Sequence, residues 1–223
     1  MKERQQLPDD QSWDRFWKRG PAARSTHVSS SKQRIQNILS AYLVPEGRVL
    51  DAGCGSGYFS QYFFEHGQRP VALDYSAEAL AMTRTRTQQC IQTVQADLIK
   101  DDLARRFSDE RFDLIFSDGL FEHFVIFDQD KILQNICTVL KDGGVVVTVV
   151  PNRWSPWQII RPFLMKGIEE RPFVLTELRD MHERNGLKVV KSGGINVLPI
   201  RLSPEFLGRI FGMLLYVIAQ KTV

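Results

Sequence analysis

Three glycines at alternate positions, Gly53, Gly55 and Gly57, follow a short apolar run that ends in an acid, in the stretch VLDAGCGSGYFS from Val49 to Ser60. Spaced this way they support neither a strand nor a helix, and they suit a tight turn. Glycine permits φ > 0 and lets a ligand approach the main chain with no Cβ in the way. The N–H groups of a helix that starts at such a turn offer donors to a carboxylate or phosphate. Turns of this kind also close strand–helix corners without any ligand, so the glycines alone leave both readings open. Two acids favour a ligand. Asp74 closes the apolar run VALDYS, about 20 residues on, where an acid suits hydrogen bonds to ribose hydroxyls. Its alternative use is to cap the helix that follows. Asp97 closes QADL. At the carboxyl end of the next strand it can reach an exocyclic amine of adenine, while the Leu98 N–H meets a ring nitrogen. Its alternative is to cap the segment that begins at Ile99.

These residues need a scaffold that sets strand ends side by side. SKQRIQNILSAYL carries Ile35, Ile38, Leu39 and Tyr42 at helical spacing, is capped from Ser29-Ser30-Ser31, and stops at Pro45-Glu46-Gly47. RVLDAG then reads as a buried strand, YFSQYFFEHG as a helix closed by Gly67, PVALDYS as a second strand, and SAEALAMTRTRTQQC as a helix capped by Ser76. IQTVQADL and RFDLIFSDG are further strands. FDQDKILQNICTVLKDGG is a helix ended by Gly143-Gly144, and GVVVTVVPN a fifth strand dense in β-branched residues. TELRDMHERNG is a helix between that strand and a sixth, LKVVKSGG; MLLYVIAQKTV is a seventh. Strands that alternate with helices and are apolar on both faces predict an α/β fold with a doubly wound, mostly parallel, Rossmann-like seven-stranded sheet. The stretch between the last two strands includes only a short amphipathic segment, SPEFLGRIFG. A parallel crossover needs about a dozen residues or more, so an antiparallel last strand is at least as well supported.

Composition narrows the classes of function. The 223 residues are 25% charged and 43% hydrophobic, which suits one globular domain of the larger sort. A net charge of +3 and the absence of a basic stripe with interleaved aromatics argue against a nucleic-acid partner. Cys54, Cys90 and Cys137 form no CxxC pair, so neither a disulfide framework nor a zinc site is indicated, and a cytoplasmic location fits. The N-terminus is charged and lacks the apolar core of a secretory signal. The longest apolar stretch, Met213 to Ala219, falls short of the ~20 residues that span a bilayer. LPIRLSPEFLGRIFGMLL is amphipathic; it packs on the core or makes a peripheral membrane contact.

From about Gly47 to Asn152 the sequence resembles the class I S-adenosylmethionine-dependent methyltransferases: VLDAGCGSGYFS, VALDYS, QADL, RFDLIFSDGLFEHF and LKDGGVVVTVVPN match that family's motif series in order. It is most similar to the small-molecule group that includes the ubiquinone and menaquinone biosynthesis enzymes. The resemblance implies a sheet whose last strand is antiparallel, S-adenosyl-L-methionine as cofactor and S-adenosyl-L-homocysteine as its product. It implies that Asp51 and the Gly53–Gly57 turn, Cys54 included, hold the methionine portion. Asp74 then takes the ribose, Asp97 with Leu98 the adenine, and Tyr75 stacks on the adenine face. Ser117 would offer its backbone carbonyl to the cofactor's amino group. The GCGSG turn has Tyr58 where the dinucleotide fingerprint GxGxxG has its third glycine, which speaks against a nicotinamide-dependent oxidoreductase.

The chemistry expected is an in-line displacement at a methyl carbon on a sulfonium, which leaves the protein to position and desolvate the partners. SDGLFEHF places Asp118, Glu122 and His123 beyond the fourth strand. His123 is a candidate general base, with a reference pKa of about 6.5. Glu122 and His123 can instead begin a helix and make local hydrogen bonds. A metal is the third reading of these side chains, but EHF-VIF brings no further acids close by and no metal ligand is assigned. Acceptor choice belongs to the segments that match the family loosely. Residues 1–44 form an N-terminal helical cap region ahead of a methyltransferase domain over 45–223. In QSWDRFWKRG, Trp13, Phe16 and Trp17 share a helical face that either docks on the core or covers the site. A lid-like insertion, 153–173, carries Trp154, Trp157, Phe163, Leu164 and Met165, with Arg153, Arg161 and Arg171 available to an anionic group. A second insertion spans 195–212. The expected activity is methyl transfer to O, N or C of a small, partly apolar metabolite. The alternative is a cofactor-binding regulator or scaffold without transfer. Acceptor and oligomeric state are left open.

Overall fold

A computed structural model of the chain describes Trp13, Asp14, Trp17 and residues 29–108, 110–159, 170–198 and 204–222. Phe16, Arg161, Phe163, Leu164 and Met165 lie outside the described residues.

Seven strands form one sheet: β1 (Arg48–Ala52), β2 (Arg69–Asp74), β3 (Gln92–Gln95), β4 (Phe112–Asp118), β5 (Leu140–Pro151), β6 (Leu187–Ile195) and β7 (Leu214–Lys221), in the order β3-β2-β1-β4-β5-β7-β6. The pairs β1–β2, β1–β4, β2–β3 and β4–β5 are parallel. β7 runs antiparallel to both its neighbours, β5 and β6. β7 inserts between the fifth and sixth strands.

Helices cover both faces. On one lie α1 (Ser30–Leu39), α2 (Tyr58–Glu65) and α3 (Ala77–Arg86). Ile35, Leu39, Phe59 and Phe63 from the first two meet Leu114, Phe116, Val147 and Ile218. On the other lie α4 (Leu103–Phe107), α5 (Ile126–Thr138) and α6 (Leu175–Arg184). Their Phe107, Ile132, Ile136 and Met181 meet Leu50, Leu73, Ile115 and Val217. Helix starts follow their caps. Ser29, Ser76 and Asp102 accept from the N–H groups of Lys32, Ala79 and Arg105, satisfying donors that the first helical turn leaves unpaired.

Two expectations need correction. The fifth helix does not run to Gly143-Gly144: it ends at Thr138, and β5 begins at Leu140. Val139 and Leu140 are fully buried and Leu140 pairs with Phe112, so the chain enters the sheet early. Lys141 to Gly144 then bulge out, with Gly143 at φ 77°, before Val145 pairs with Leu114. Core packing also fails for part of LPIRLSPEFLGRIFGMLL. Phe206, Ile210 and Phe211 are 84%, 54% and 44% exposed. Helix α7 (Gly208–Phe211) rests on β6 through bare backbone instead. A Cβ on Gly194 would lie 1.9 Å from the Gly208 carbonyl oxygen. Buried Asn152 secures the same corner, donating to the Ile210 and Gly212 carbonyls at 2.9 and 2.8 Å and accepting from the Trp154 N–H at 3.1 Å. All three cysteines are free thiols. Among the described residues no helix is long and apolar enough to cross a membrane.

The Gly194–Gly208 contact leaves no room for a side chain. Gly194→Ala is expected to destabilise the fold by about 1–3 kcal/mol, lowering Tm by roughly 3–10 °C for a chain of this size. An unchanged Tm in differential scanning calorimetry would contradict the close contact.

Candidate active site

The site is built where β1, β2 and β4 end. Gly53, Gly55 and Gly57 all take positive φ, at 75°, 52° and 72°. The turn they make folds back on the next strand: the Gly53 and Cys54 N–H groups donate to the Leu73 carbonyl at 2.8 and 3.0 Å. Its centre is held by Asp74. The Gly55 N–H donates to Asp74 Oδ2 and the Ser76 N–H to Asp74 Oδ1, both at 2.9 Å. A carboxylate has about four acceptor positions, so Asp74 retains capacity after fixing the turn and the start of α3.

Beside Asp74 opens a cavity of about 390 Å³. Gly53, Asp74, Tyr75, Asp97, Leu98 and His123, all singled out from the sequence, line it together. Leu73, Ala96, Ile99, Leu120 and Phe124 make most of its remaining wall apolar. Asp97 has both roles open to it. Its Oδ1 accepts from the Ile99 and Lys100 N–H groups at 2.9 and 3.3 Å, and Oδ2 pairs with Lys100 Nζ at 3.0 Å, while the residue also borders the cavity. His123 ends a 3-10 turn, Phe121–His123, beyond β4. Trp13 and Trp17 border the cavity as well, and the Trp13 ring meets the His123 ring edge-on, centroids 4.8 Å apart.

The other candidate residues sit under or behind the turn. Cys54 is buried with Sγ 3.5 Å from Thr83 Oγ1, and a Cβ on Gly57 would come within 2.6 Å of that same hydroxyl. These two positions therefore set how closely α2 and α3 approach. A Cβ on Gly55 would lie 2.6 Å from the Trp17 ring, and one on Gly53 3.1 Å from Leu120. Ser117 is buried in β4, and its Oγ has no hydrogen-bond partner.

Charge is concentrated on the α1 side. Asp51 is 3% exposed and accepts from Ser60 Oγ at 2.5 Å. Burial pushes its carboxyl up to about 7, with Asp118 and Asp74 adding like-charge repulsion and the Ser60 hydrogen bond opposing. Burial lifts Asp118 to about 6 against the pull of Lys32. Burial also raises Asp74, against its backbone hydrogen bonds. Lys32 lies on α1 with Nζ 3.9 Å from the centre of the Tyr58 ring. Its amine is held below the ordinary lysine range by burial and by Arg86, with Asp118 opposing. Among the described residues no three His, Cys, Asp or Glu side chains gather as a metal site.

The sequence reading missed Lys32, Leu120 and Phe124. Lys32 reaches the turn from a helix well before it in sequence, and one lysine in an amphipathic helix carries no signal of its own. Leu120 and Phe124 flank the noticed Glu122 and His123 in SDGLFEHF, but apolar residues there read as core. For Lys32 the Tyr58 contact, not periodicity, is informative.

Comparison with known proteins accords with this geometry. Residues 50–148 match the family described as "Methyltransferase domain". The chain is 40% identical over 99 residues to a malonyl-[acyl-carrier protein] O-methyltransferase of Enterobacter lignolyticus, covering 44% of this chain and 37% of that protein. It is 36% identical over 131 residues to the enzyme of that name from Erwinia billingiae, covering 57% and 49%. The chain thus spans less than half the length of either. An uncharacterized methyltransferase of Synechocystis is 26% identical over 169 residues, 70% of this chain and 76% of that protein. Among solved structures, 1,6-didemethyltoxoflavin-N1-methyltransferase of Burkholderia thailandensis superposes with TM-score 0.68 at 21% identity, over 96% of this chain and 87% of that one. Magnesium protoporphyrin IX methyltransferase of Synechocystis gives 0.68 at 14%, over 96% and 100%. At those identities the structures establish the fold, which is the class I methyltransferase fold.

Burial of Asp51 has a consequence for stability. Its pKa in the fold, about 7, lies above the ordinary carboxyl value. The stability it contributes is therefore complete below about pH 4 and is lost as pH rises through 7. Asp51→Asn removes that loss. At pH 8 the variant is expected to melt about 2–8 °C above the unmodified protein, with the gap closing toward pH 4. A variant that melts lower at pH 8 would contradict a buried, costly charge.

Proposed function

We propose that this chain is a class I S-adenosylmethionine-dependent methyltransferase that moves a methyl group from S-adenosylmethionine to an O, N or C atom of a small, partly apolar molecule. The observation that carries the reading is the one cavity shared by Asp74, Tyr75, Asp97 and His123. The residues present fit the cofactor. Asp74, with acceptor capacity left after fixing Gly55 and Ser76, suits two vicinal ribose hydroxyls. The apolar wall of Leu73, Ala96, Leu98 and Ile99 suits a purine, with Asp97 and the Leu98 N–H at its edge and Tyr75 against its face. Asp51, which is buried, and the half-buried Asp118 suit the cationic methionine portion, with the Ser117 carbonyl as a further acceptor. Cys54, Gly55 and Gly57 shape the turn beneath it.

When bound, the cofactor supplies an electrophilic methyl group whose sulfur leaves as a neutral thioether. The chain's residues then position and dry the reactants. Leu120, Phe124 and Trp13 exclude water around His123. His123 takes the acceptor's proton where the acceptor is a hydroxyl or an ammonium. Those same apolar neighbours support a partly apolar acceptor. Three free thiols support a cytoplasmic setting.

The test is calorimetry with S-adenosylhomocysteine, followed by methyl-label transfer to a metabolite extract. Asp74→Asn keeps one acceptor oxygen and loses the charge; it is expected to weaken binding at least 10-fold, since a hydrogen bond to a charged group contributes about 1.5–3 kcal/mol. His123→Ala is expected to leave that affinity unchanged and to cut turnover by about 100-fold or more. A folded protein that shows no heat with S-adenosylhomocysteine would overturn the reading. Binding without label transfer to any extract component would favour the regulator.

A further inference from the structure

Three residues from far upstream in the chain meet the cavity or the helix beside it. Trp17 presses its ring onto the glycine turn, so close that a Cβ on Gly55 would meet it at 2.6 Å. Trp13 stands edge-on to His123 at 4.8 Å. Both rings line the cavity, one at the turn and the other at His123. Asp14, between them in sequence, faces the opposite way. Its Oδ1 accepts from Ser76 Oγ and, at 3.3 Å, from the Glu78 N–H.

That anchor is chemically specific. Ser76 caps α3, a ten-residue helix, accepting from the Ala79 N–H at 3.2 Å. Its hydroxyl has one proton to donate, and Asp14 receives it. The Glu78 N–H is one of the donors that a first helical turn leaves unpaired, and a carboxylate there also meets the positive end of the helix dipole. Ser76 is fully buried, and its own N–H fixes Asp74 Oδ1 at 2.9 Å. One serine thus joins the anchor of the overlying tryptophans to the acid that faces the cavity.

We propose that Asp14 is a latch: held on Ser76 and the α3 N-terminus, it closes Trp13 and Trp17 as a roof over the cavity, and its release sets the rate at which ligand enters and leaves. Asp14 is a positioning residue. It does not touch the reacting atoms; it keeps Trp13 against His123 and Trp17 against the turn. The exchange role rests on the cofactor reading above, whereas the roof itself does not.

Two measurements separate the two. In a Trp154→Phe, Trp157→Phe background only Trp13 and Trp17 emit, because the chain has four tryptophans. Without any ligand, acrylamide quenching of that emission is expected to rise at least twofold in Asp14→Ala, with Asp14→Asn in between because it keeps an acceptor but loses the charge. Equal quenching constants in all three proteins overturn the latch. In stopped-flow mixing with S-adenosylhomocysteine, Asp14→Ala is expected to raise the dissociation rate at least 10-fold and to raise the association rate as well, with the fold's Tm changed by under 3 °C. Rates equal to those of the unmodified protein overturn the exchange role. If S-adenosylhomocysteine binds neither protein, the cofactor reading and the exchange role fall together, and the quenching comparison still decides the roof.

Discussion

Three carboxylates withdrawn from water at the end of one sheet are the constraint on which the rest of the site depends. Asp51 comes at the end of β1, Asp74 at the end of β2 and Asp118 at the end of β4. Parallel strands point their carboxyl ends the same way, so a doubly wound sheet brings these acids together wherever its strands end in acid. Burial raises the proton affinity of all three. Such an arrangement lowers stability near neutral pH, and an acid-for-amide change at Asp51 would relieve it. The fold tolerates it because Ser60 and the Gly55 and Ser76 N–H groups hydrogen-bond two of the acids, and Lys32 lies close to the third. Three acids whose ionised forms are costly, beside one half-buried lysine, are suited to a cation arriving from outside.

The surrounding architecture can be understood as support for that cluster. The glycine turn brings its N–H groups to Asp74 only because its backbone takes φ values that side chains resist. Gly57 and Cys54 let α2 and α3 close on Thr83, which in turn donates to the Gly55 carbonyl at 3.1 Å. At the far side of the sheet, β7 threads between β5 and β6. The C-terminal segment rests on β6 by glycine-to-glycine contact and leaves Phe206, Ile210 and Phe211 facing water. Beyond Asp74, the apolar wall and the two tryptophans border the cavity.

The strand–turn–helix at Val49–Ser60 and the acids at Asp74 and Asp97 were legible in the sequence because their signals are local: a glycine spacing, an acid closing an apolar run, a cap one or two residues on. The register of β5 was not. Gly143-Gly144 reads as a helix stop, and only the pairing of Leu140 with Phe112, across almost thirty residues, tells the chain to enter the sheet sooner. For the same reason Lys32 and Asp14 escaped notice as site residues. Each reaches the site across a long separation, Asp14 to Ser76 and Glu78 and Lys32 to Tyr58, and no periodicity within either segment encodes the partner. For the Trp13 and Trp17 pair the sequence offered two readings, core docking and cover; that both rings border the cavity is the observation behind the proposed roof.

Asp51, lifted by burial to about 7, is the acid that holds a proton at pH 6.5 without ligand and would surrender it to a cationic one. Calorimetry of S-adenosylmethionine binding at pH 6.5, repeated in buffers of differing ionisation enthalpy, measures that transfer directly. A net release of protons, reduced in Asp51→Asn and fading above pH 8, is the predicted result. Binding heats that do not depend on the buffer, or a net uptake, would contradict the account.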